Sequence, residues 1–178
     1  ISVYHEDDES YQIWNKEIGI PAEKIYKLDE KDNFWQMGDT GPCGPCSEIH
    51  FDYGTKNGCQ LKTCNPSCDC KRFVEIWNLV FMQFDRQEDG KLLPLKQKGI
   101  DTGMGHERMC MIMQNKENIF QIDLFEVLIK KIEELTKVSY EPSPRLRHTG
   151  SKSDENKKIA FHVLSDHVRS TSMLISDG

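Results

Sequence analysis

The chain has 178 residues, 37% of them hydrophobic, which is enough for one modest core or parts of two. Lys and Arg number 23 against 29 Asp and Glu, so the net charge of −6 does not mark a nucleic-acid binder, although a local basic stripe would suffice for one. No apolar run approaches the roughly 18–20 residues of a membrane span, and no signal-peptide pattern opens the chain, so a cytoplasmic location is expected.

The first four residues alternate like a short strand. Residues 7–18 then place Tyr11, Trp14 and Ile18 at helical spacing, with acids at the start and Gly19 just past the end. Residues 21–28 predict a second short helix with Pro21 in its first turn. Strands are predicted at 34–37 and 48–51, on either side of a loop rich in Gly and Pro, and a polar insertion follows at 55–71. Two apolar runs, 74–84 and 92–95, flank a turn carrying Asp89-Gly90, which predicts a β-hairpin. After them Lys98-Gly99-Ile100 leads into Asp101-Thr102-Gly103-Met104-Gly105 and a helical pattern at 106–114.

Downstream, Asp123 with Glu126 three residues on reads as a capping box. It opens a helix whose buried stripe would be Leu124, Leu128, Ile132 and Leu135. Residues 140–156 are rich in Pro, Ser and charge, as a linker is. Ala160, Val163, Leu164, His167, Val168, Thr171, Leu174 and Ile175 then line one face of a final helix. The chain opens on Ile1 and stops at Gly178 just past that pattern, as a piece excised from a larger protein would. The fold expected is α+β: an antiparallel sheet with flanking helices, then the start of a helical domain.

Cysteine usage points to metal rather than disulfides. Six of the seven cysteines lie between Cys43 and Cys70, and an odd count without a secretion signal argues against a disulfide framework. Cys59, Cys64, Cys68 and Cys70 follow C-x4-C-x3-C-x-C within a polar loop that has too little apolar surface to fold alone. A four-thiolate zinc would fix such a loop. Cys43 and Cys46 have C-x2-C spacing, each after a proline. His162 and His167 lie five apart, so they do not share a helix face, and His50, His106, His162 and His167 are all read as structural.

The stretch around residue 101 carries a ligand-site pattern. A carboxylate at a strand end, Asp101, can pair with an ammonium, or it can cap the helix that follows. Gly103 and Gly105 let a ligand approach the backbone. Arg108 can stack on a base and donate to phosphate, or it can remain a solvated helix charge. Read physically, this is a small-molecule site on an antiparallel sheet.

Three runs in order, NFWQMGDTGPCGPCSEIHFDYG (33–54), EIWNLVFMQF (75–84) and DTGMGHER (101–108), make the chain resemble the catalytic domain of the alanyl-tRNA synthetase family, a family of class II aminoacyl-tRNA synthetases. The resemblance runs nearly collinearly from Ile1 to Gly178, and His106 stands where the family usually has Leu. It implies that Asp101 holds the amino group of alanine and that Trp35, Asn78, Val80 and Gly103 shape the pocket around it. It further implies that Gly105 and Arg108 bind ATP and that the GPCGPC loop is structural; Glu75, a carboxylate on a strand, can carry the ATP-bound Mg²⁺ or be an ordinary sheet-edge carboxylate. Residues 1–139 would be the C-terminal part of the catalytic domain, with the Cys-rich insertion at 55–71. Residues 140–178 would be a linker and the first helix of a tRNA-binding helical domain.

The activity implied is ATP-dependent activation of alanine and its transfer to tRNA(Ala). The first and second class II motifs and any editing region are missing, so the fragment alone is expected to be inactive. Two rivals compete with this reading. A non-catalytic synthetase paralogue would bind alanine or adenylate without transferring it. A zinc-stabilised RNA-binding module accounts for the cysteines and the Lys and Arg of 145–158, but not for DTGMGHER.

Overall fold

In the computed structural model, which describes residues 1–70, 72–140 and 152–178, the chain divides into two compact units, Ile1–His106 and Glu107–Gly178. The first is built on six strands: β1 (Ser2–Tyr4), β2 (Tyr26–Leu28), β3 (Phe34–Gln36), β4 (Gly41–Asp52), β5 (Phe73–Arg86) and β6 (Leu92–Met104). Their order is β2-β1-β4-β5-β6, with β3 also paired to β4. All pairs are antiparallel except β1 with β2. The sheet is therefore mixed, mostly antiparallel and accompanied by helices, in keeping with the α+β expectation.

The hairpin forms where its turn chemistry predicts. Gly90 takes φ +82°, its amide donates to the Gln87 carbonyl, and the Lys91 amide donates to Asp89 Oδ1. Its second arm is much longer than the apolar run at 92–95. β6 continues through Met104, and residues 96–104 are exposed, so no alternation of burial advertised the strand. What holds it is its ladder with β5.

The Gly/Pro-rich GPCGPC stretch is strand as well, the first half of β4. Pro45 is tolerated because the register shifts between Cys43 and Cys46, where residues 81–83 of β5 face only Gly44 and Pro45, while Pro42 pairs with Asp85 near the start of the strand. Residues 26–28 form β2 rather than a helix. After a single 3-10 turn at Ala22–Lys24 the chain extends, burying Ile25 and Leu28. The first helix, α1 (Asp8–Gln12), starts as expected, with Asp7 accepting from the Ser10 amide. It loosens into a π turn at Ile13–Glu17, from which Trp14 Nε1 donates to Ser47 Oγ on β4 at 3.0 Å. A short helix, α2 (Glu30–Asn33), was not foreseen; it leads straight into β3.

The second unit contains α3, which starts at the boundary residue (His106–Met113), α4 (Asp123–Thr136) and α5 (Lys152–Asp177). The capping box belongs to Asn118 and Gln121, on a short turn before α4, while Gln114 Oε1 accepts from the Asp123 amide. The buried face of α4 is Phe125 and Ile129, with Ile122 just ahead of it. Leu124 and Leu135 of the expected stripe are exposed, because α4 presents its neighbouring face to α5. On α5 the packed positions are Phe161, His162, Ser165 and Arg169, while Val163, Leu164, Val168, Leu174 and Ile175 are exposed. Most of the expected linker at 140–156, and Lys71, lie outside the described residues. Among the described residues no helix is long and apolar enough to cross a membrane.

His162 is the hinge of this packing. Its ring stacks on Phe120 at 3.8 Å, and its Nε2 lies 2.8 Å from Tyr140 Oη. Burial, helped by the Lys158 charge, lowers its pKa from 6.5 to about 4. Between those values the unfolded chain binds more protons than the folded one, so stability rises with pH through that window. The second unit should therefore weaken as pH falls from about 7 to about 4, with no further loss from this group below that. Urea unfolding across the range tests it, and His162→Phe, which keeps the stacking, should flatten the dependence.

Candidate functional site

The site residues are brought together by register. Across β4, β5 and β6, Cys46 pairs with Val80 and Val80 with Asp101. One rung along, Glu48 pairs with Asn78 and Asn78 with Gly103. Paired residues on neighbouring strands project to the same side, and so do residues two apart on one strand. Two parallel rows, Cys46–Val80–Asp101 and Glu48–Asn78–Gly103, thus share one face. Ser47 and Leu79 face the other way, towards Trp14 and an apolar cleft lined by Ile13, Ile18, Phe81 and Ile100.

An extra residue in β5 extends this face. Ile49 pairs with Trp77 but His50 pairs with Glu75, so Ile76 is bulged out of the ladder. The side chain of Glu75 accordingly falls beside His50 and on the same face as Asn78. The Ile76 carbonyl accepts from the Gly105 amide at 2.9 Å, which closes the end of β6 just before α3. Trp35 lies on the far side of β4, on β3 opposite Gly44. Arg108 belongs to α3 in the second compact unit, so of the expected set it is the one not held by the sheet.

Polarity along the two rows is graded. Asp101 is exposed and Val80 is buried, as is Cys46. An ideal Cβ at Gly103 would meet nothing within 4 Å, so the surface above it is open to a ligand. Asn78 Oδ1 is buried and has no hydrogen-bond partner among the described residues. An unmet acceptor of that kind costs about 1–3 kcal/mol, so it marks a place where a ligand donor would be welcome. Beside it, Glu48 Oε2 lies 3.2 Å from both Ser2 Oγ and His50 Nε2, and Ser2 Oγ lies 3.0 Å from that same ring nitrogen. Sequence reasoning missed this part-buried trio, because Ser2 lies 46 residues from Glu48. The only local signal was an acid and a histidine alternating on one strand.

Cys46 is the most perturbed thiol. Burial, then the Glu48 charge, pushes it up to about 12, against hydrogen bonds from the Asn33 and Asn78 amides that favour the thiolate. It is therefore a neutral, packed group at ordinary pH.

The second constellation is the loop between β4 and β5. The Sγ atoms of Cys59, Cys64 and Cys68 lie within 4.8 Å of one another, and Cys70 Sγ lies 3.6 Å from that of Cys64. Four thiolates around a tetrahedral zinc with bonds near 2.3 Å need sulfurs about 3.8 Å apart. Cys59, Cys64 and Cys68 present three donors near that spacing, and Cys70, outside this group but beside Cys64, would have to shift to supply the fourth.

The family model for class II tRNA synthetases (A) matches residues 1–178, and the chain belongs to that family. Within it, the chain is similar to alanine–tRNA ligases: 47% identical over 178 residues to that of Desulfosudis oleivorans, 47% over 178 to that of Clostridioides difficile, and 46% over 178 to that of Acetivibrio thermocellus. Each alignment covers 100% of this chain but 19% of the relative, so the chain spans about a fifth of the length of the proteins it matches.

The thiols should separate sharply by chemistry. In native protein stripped of metal with a chelator, iodoacetamide near pH 8 should alkylate exposed Cys59 quickly and leave buried Cys46 unmodified until the protein unfolds. Peptide mass spectrometry reads the sites directly. Modification of Cys46 at the rate of Cys59 would mean that the face carrying Val80 is open.

Proposed function

We propose that the chain is the C-terminal part of the catalytic domain of an alanine–tRNA ligase, with residues 140–178 forming the linker and first helix of a tRNA-binding helical domain. The observation that carries this reading is the pair of in-register rows, which set the Asp101 carboxylate beside a small apolar position, Val80, and an unmet amide acceptor, Asn78. That combination suits a small zwitterion. Asp101 receives the α-ammonium, Val80 and Trp35 limit the side chain to about a methyl, and the backbone at Gly103 lies against the ligand.

The intact protein would use ATP with Mg²⁺, alanine and tRNA(Ala). Glu75, on the same face as Asn78, would hold the metal on ATP, while Gly105 and Arg108 would contact the nucleotide. The carboxylate of alanine is already a nucleophile, so no protein base is needed at the first step. It attacks the α-phosphorus and pyrophosphate leaves; a ribose hydroxyl of the tRNA then attacks the acyl carbon and AMP leaves. The chain's own contribution is positioning and electrostatic stabilisation. A cytoplasmic location goes with this activity.

Cys59, Cys64, Cys68 and Cys70 would bind one structural zinc, which supplies four-fold cross-linking and no chemistry. Purified protein should carry about one zinc per chain, and Cys64→Ser should lose it whereas Cys43→Ser should not. Absence of metal, with Cys59, Cys64, Cys68 and Cys70 freely titratable in native protein, would remove the zinc assignment.

Pocket size sets the expected specificity. Rejecting glycine forfeits one methyl contact, worth roughly 1–3 kcal/mol or about 10–200-fold, and serine adds only a hydroxyl. In pyrophosphate exchange by the intact polypeptide carrying this chain, alanine should be preferred over glycine and serine by well under about 10⁴-fold, so that editing is needed elsewhere. Asp101→Ala should abolish exchange with all three. Discrimination above that limit at the activation step, or exchange that survives Asp101→Ala, would show that the pocket lies elsewhere.

A further inference from the structure

Arg72, the residue before β5, makes three kinds of contact at once. Its Nε donates to Asp52 Oδ1 at 2.8 Å and its Nη2 to Asp52 Oδ2 at 2.7 Å, a two-point clamp. The plane of its guanidinium lies over the Phe73 ring, 4.5 Å from the centroid. Its side chain also lies beside Cys64, one of the clustered cysteines, at Gly58. An ideal Cβ there would sit 3.2 Å from Arg72 Cδ and 3.3 Å from Cys64 Sγ, so these two side chains meet over a backbone that carries none of its own.

The position matters because Asp52 and Phe73 are the last rung of the β4–β5 ladder, with Phe51–Val74 and then His50–Glu75 following. Asp52 also accepts from the Gly54 amide, and the Tyr53 amide donates to the Arg72 carbonyl, so both strand exits are tied at the base of the loop. The same side chain thus holds the mouth of the loop through Asp52 and runs beside Cys64 of the cluster inside it. Its two bonds to Asp52 use Nε and Nη2, which leaves Nη1 donors for a sulfur. A thiolate bound to a metal remains a good acceptor, and a charged donor beside it lowers the cost of gathering several negative sulfurs.

We propose that Arg72 is a positioning residue that joins the cysteine loop to the sheet: by clamping Asp52 and donating to Cys64 it makes metal capture in the loop and closure of the β4–β5 end one cooperative event. The proposal rests on the zinc assignment above and adds to it that the metal is read out at the strands carrying His50 and Glu75. Neither the cysteine spacing nor the family membership requires such a link.

The test measures zinc affinity of the purified protein by competition with a chromophoric chelator, the absorption spectrum of the cobalt-substituted protein, and amide exchange at residues 73–75. Arg72→Leu should lower zinc affinity by about 10–100-fold, the usual scale for loss of a group that supports a metal ligand. It should also shift the sulfur-to-cobalt charge-transfer band to lower energy, because a thiolate relieved of a hydrogen bond gives up its electrons more readily. Chelation of wild-type protein and Arg72→Leu should each speed exchange at 73–75. Arg72→Lys, which keeps the charge but not the fork, should restore only part of the affinity. If Arg72→Leu does not fold, Gly58→Ala serves: the added methyl presses on Arg72 and Cys64, and affinity should fall while the rest of the sheet keeps its protection. Wild-type protein that binds zinc, with Arg72→Leu or Gly58→Ala matching it in affinity, cobalt spectrum and exchange, would overturn the link and leave the zinc assignment standing. Wild-type protein that takes up no metal would remove the zinc assignment and the link together.

Discussion

Between Gly44 and the backbone of β5 there is no room for a methyl group: an ideal Cβ would lie 2.0 Å from the Phe81 carbonyl oxygen and 3.1 Å from the Gln83 nitrogen. β4 and β5 therefore close on each other at the place where their register slips. Because side chains alternate with period two, a slip of one residue would send every later residue to the opposite face. The placement of Cys46 against Val80 and of Glu48 against Asn78 depends on that one tight crossing. The second irregularity, at Ile76, has a matching effect at the other end. It brings Glu75 onto the face of Val80 and Asn78 and frees a carbonyl to fix Gly105, so two bulges in one strand frame the two rows.

How much of this could be read in advance follows from what each strand buries. The run at 74–84 and the Asp89-Gly90 turn were legible because apolar residues and a left-handed glycine announce a hairpin. The far half of β6 was not, since residues 96–104 are exposed and their strand character is imposed by the partner. GPCGPC read as a loop because Pro and Gly are poor strand residues; only the register shift, a property of the pair, makes room for them. Residues 26–28 are too short for a period to tell strand from helix, and contact with β1 decided it. On α5 the exposed positions are the more apolar ones, so hydrophobicity pointed to a face that the described residues leave exposed.

The site was legible mostly through its motifs. DTGMGHER and EIWNLVFMQF gave Asp101, Asn78 and Val80 as candidates, while composition and spacing alone gave no more than a small-molecule site on a sheet. Beyond an acid and a histidine alternating on one strand, the sequence held no sign that Glu48, His50 and Ser2 form a part-buried polar trio on the rung of Asn78, because that contact exists only after β1 pairs with β4. Such a trio satisfies its own members and leaves the Asn78 oxygen as the unmet acceptor of the face. The Asn33 oxygen, on the side chain that donates to Cys46, is a second buried acceptor without a partner among the described residues, so the unmet polar cost beside these rows is shared by two amides.

The loop between β4 and β5 raises a different question, that of why a polar segment should hold a shape at all. Asp52 and Arg72 are 20 residues apart, and closing a flexible loop of that length costs roughly 2–3 kcal/mol by chain entropy, before any residue inside it is ordered. Its interior offers little apolar burial to offset this: Leu61 is exposed, and Cys64 is the only buried hydrophobic residue among those described. One salt bridge at the base, with Asp52 partly exposed, stabilises the closure but not the interior. Ordering the interior requires cross-links, and three sulfurs within 4.8 Å of one another, with a fourth beside that of Cys64, are the chemistry present for making them. Because Arg72 belongs to both the base and the cluster, the loop's two weak supports act on one side chain, and strengthening either one favours the other.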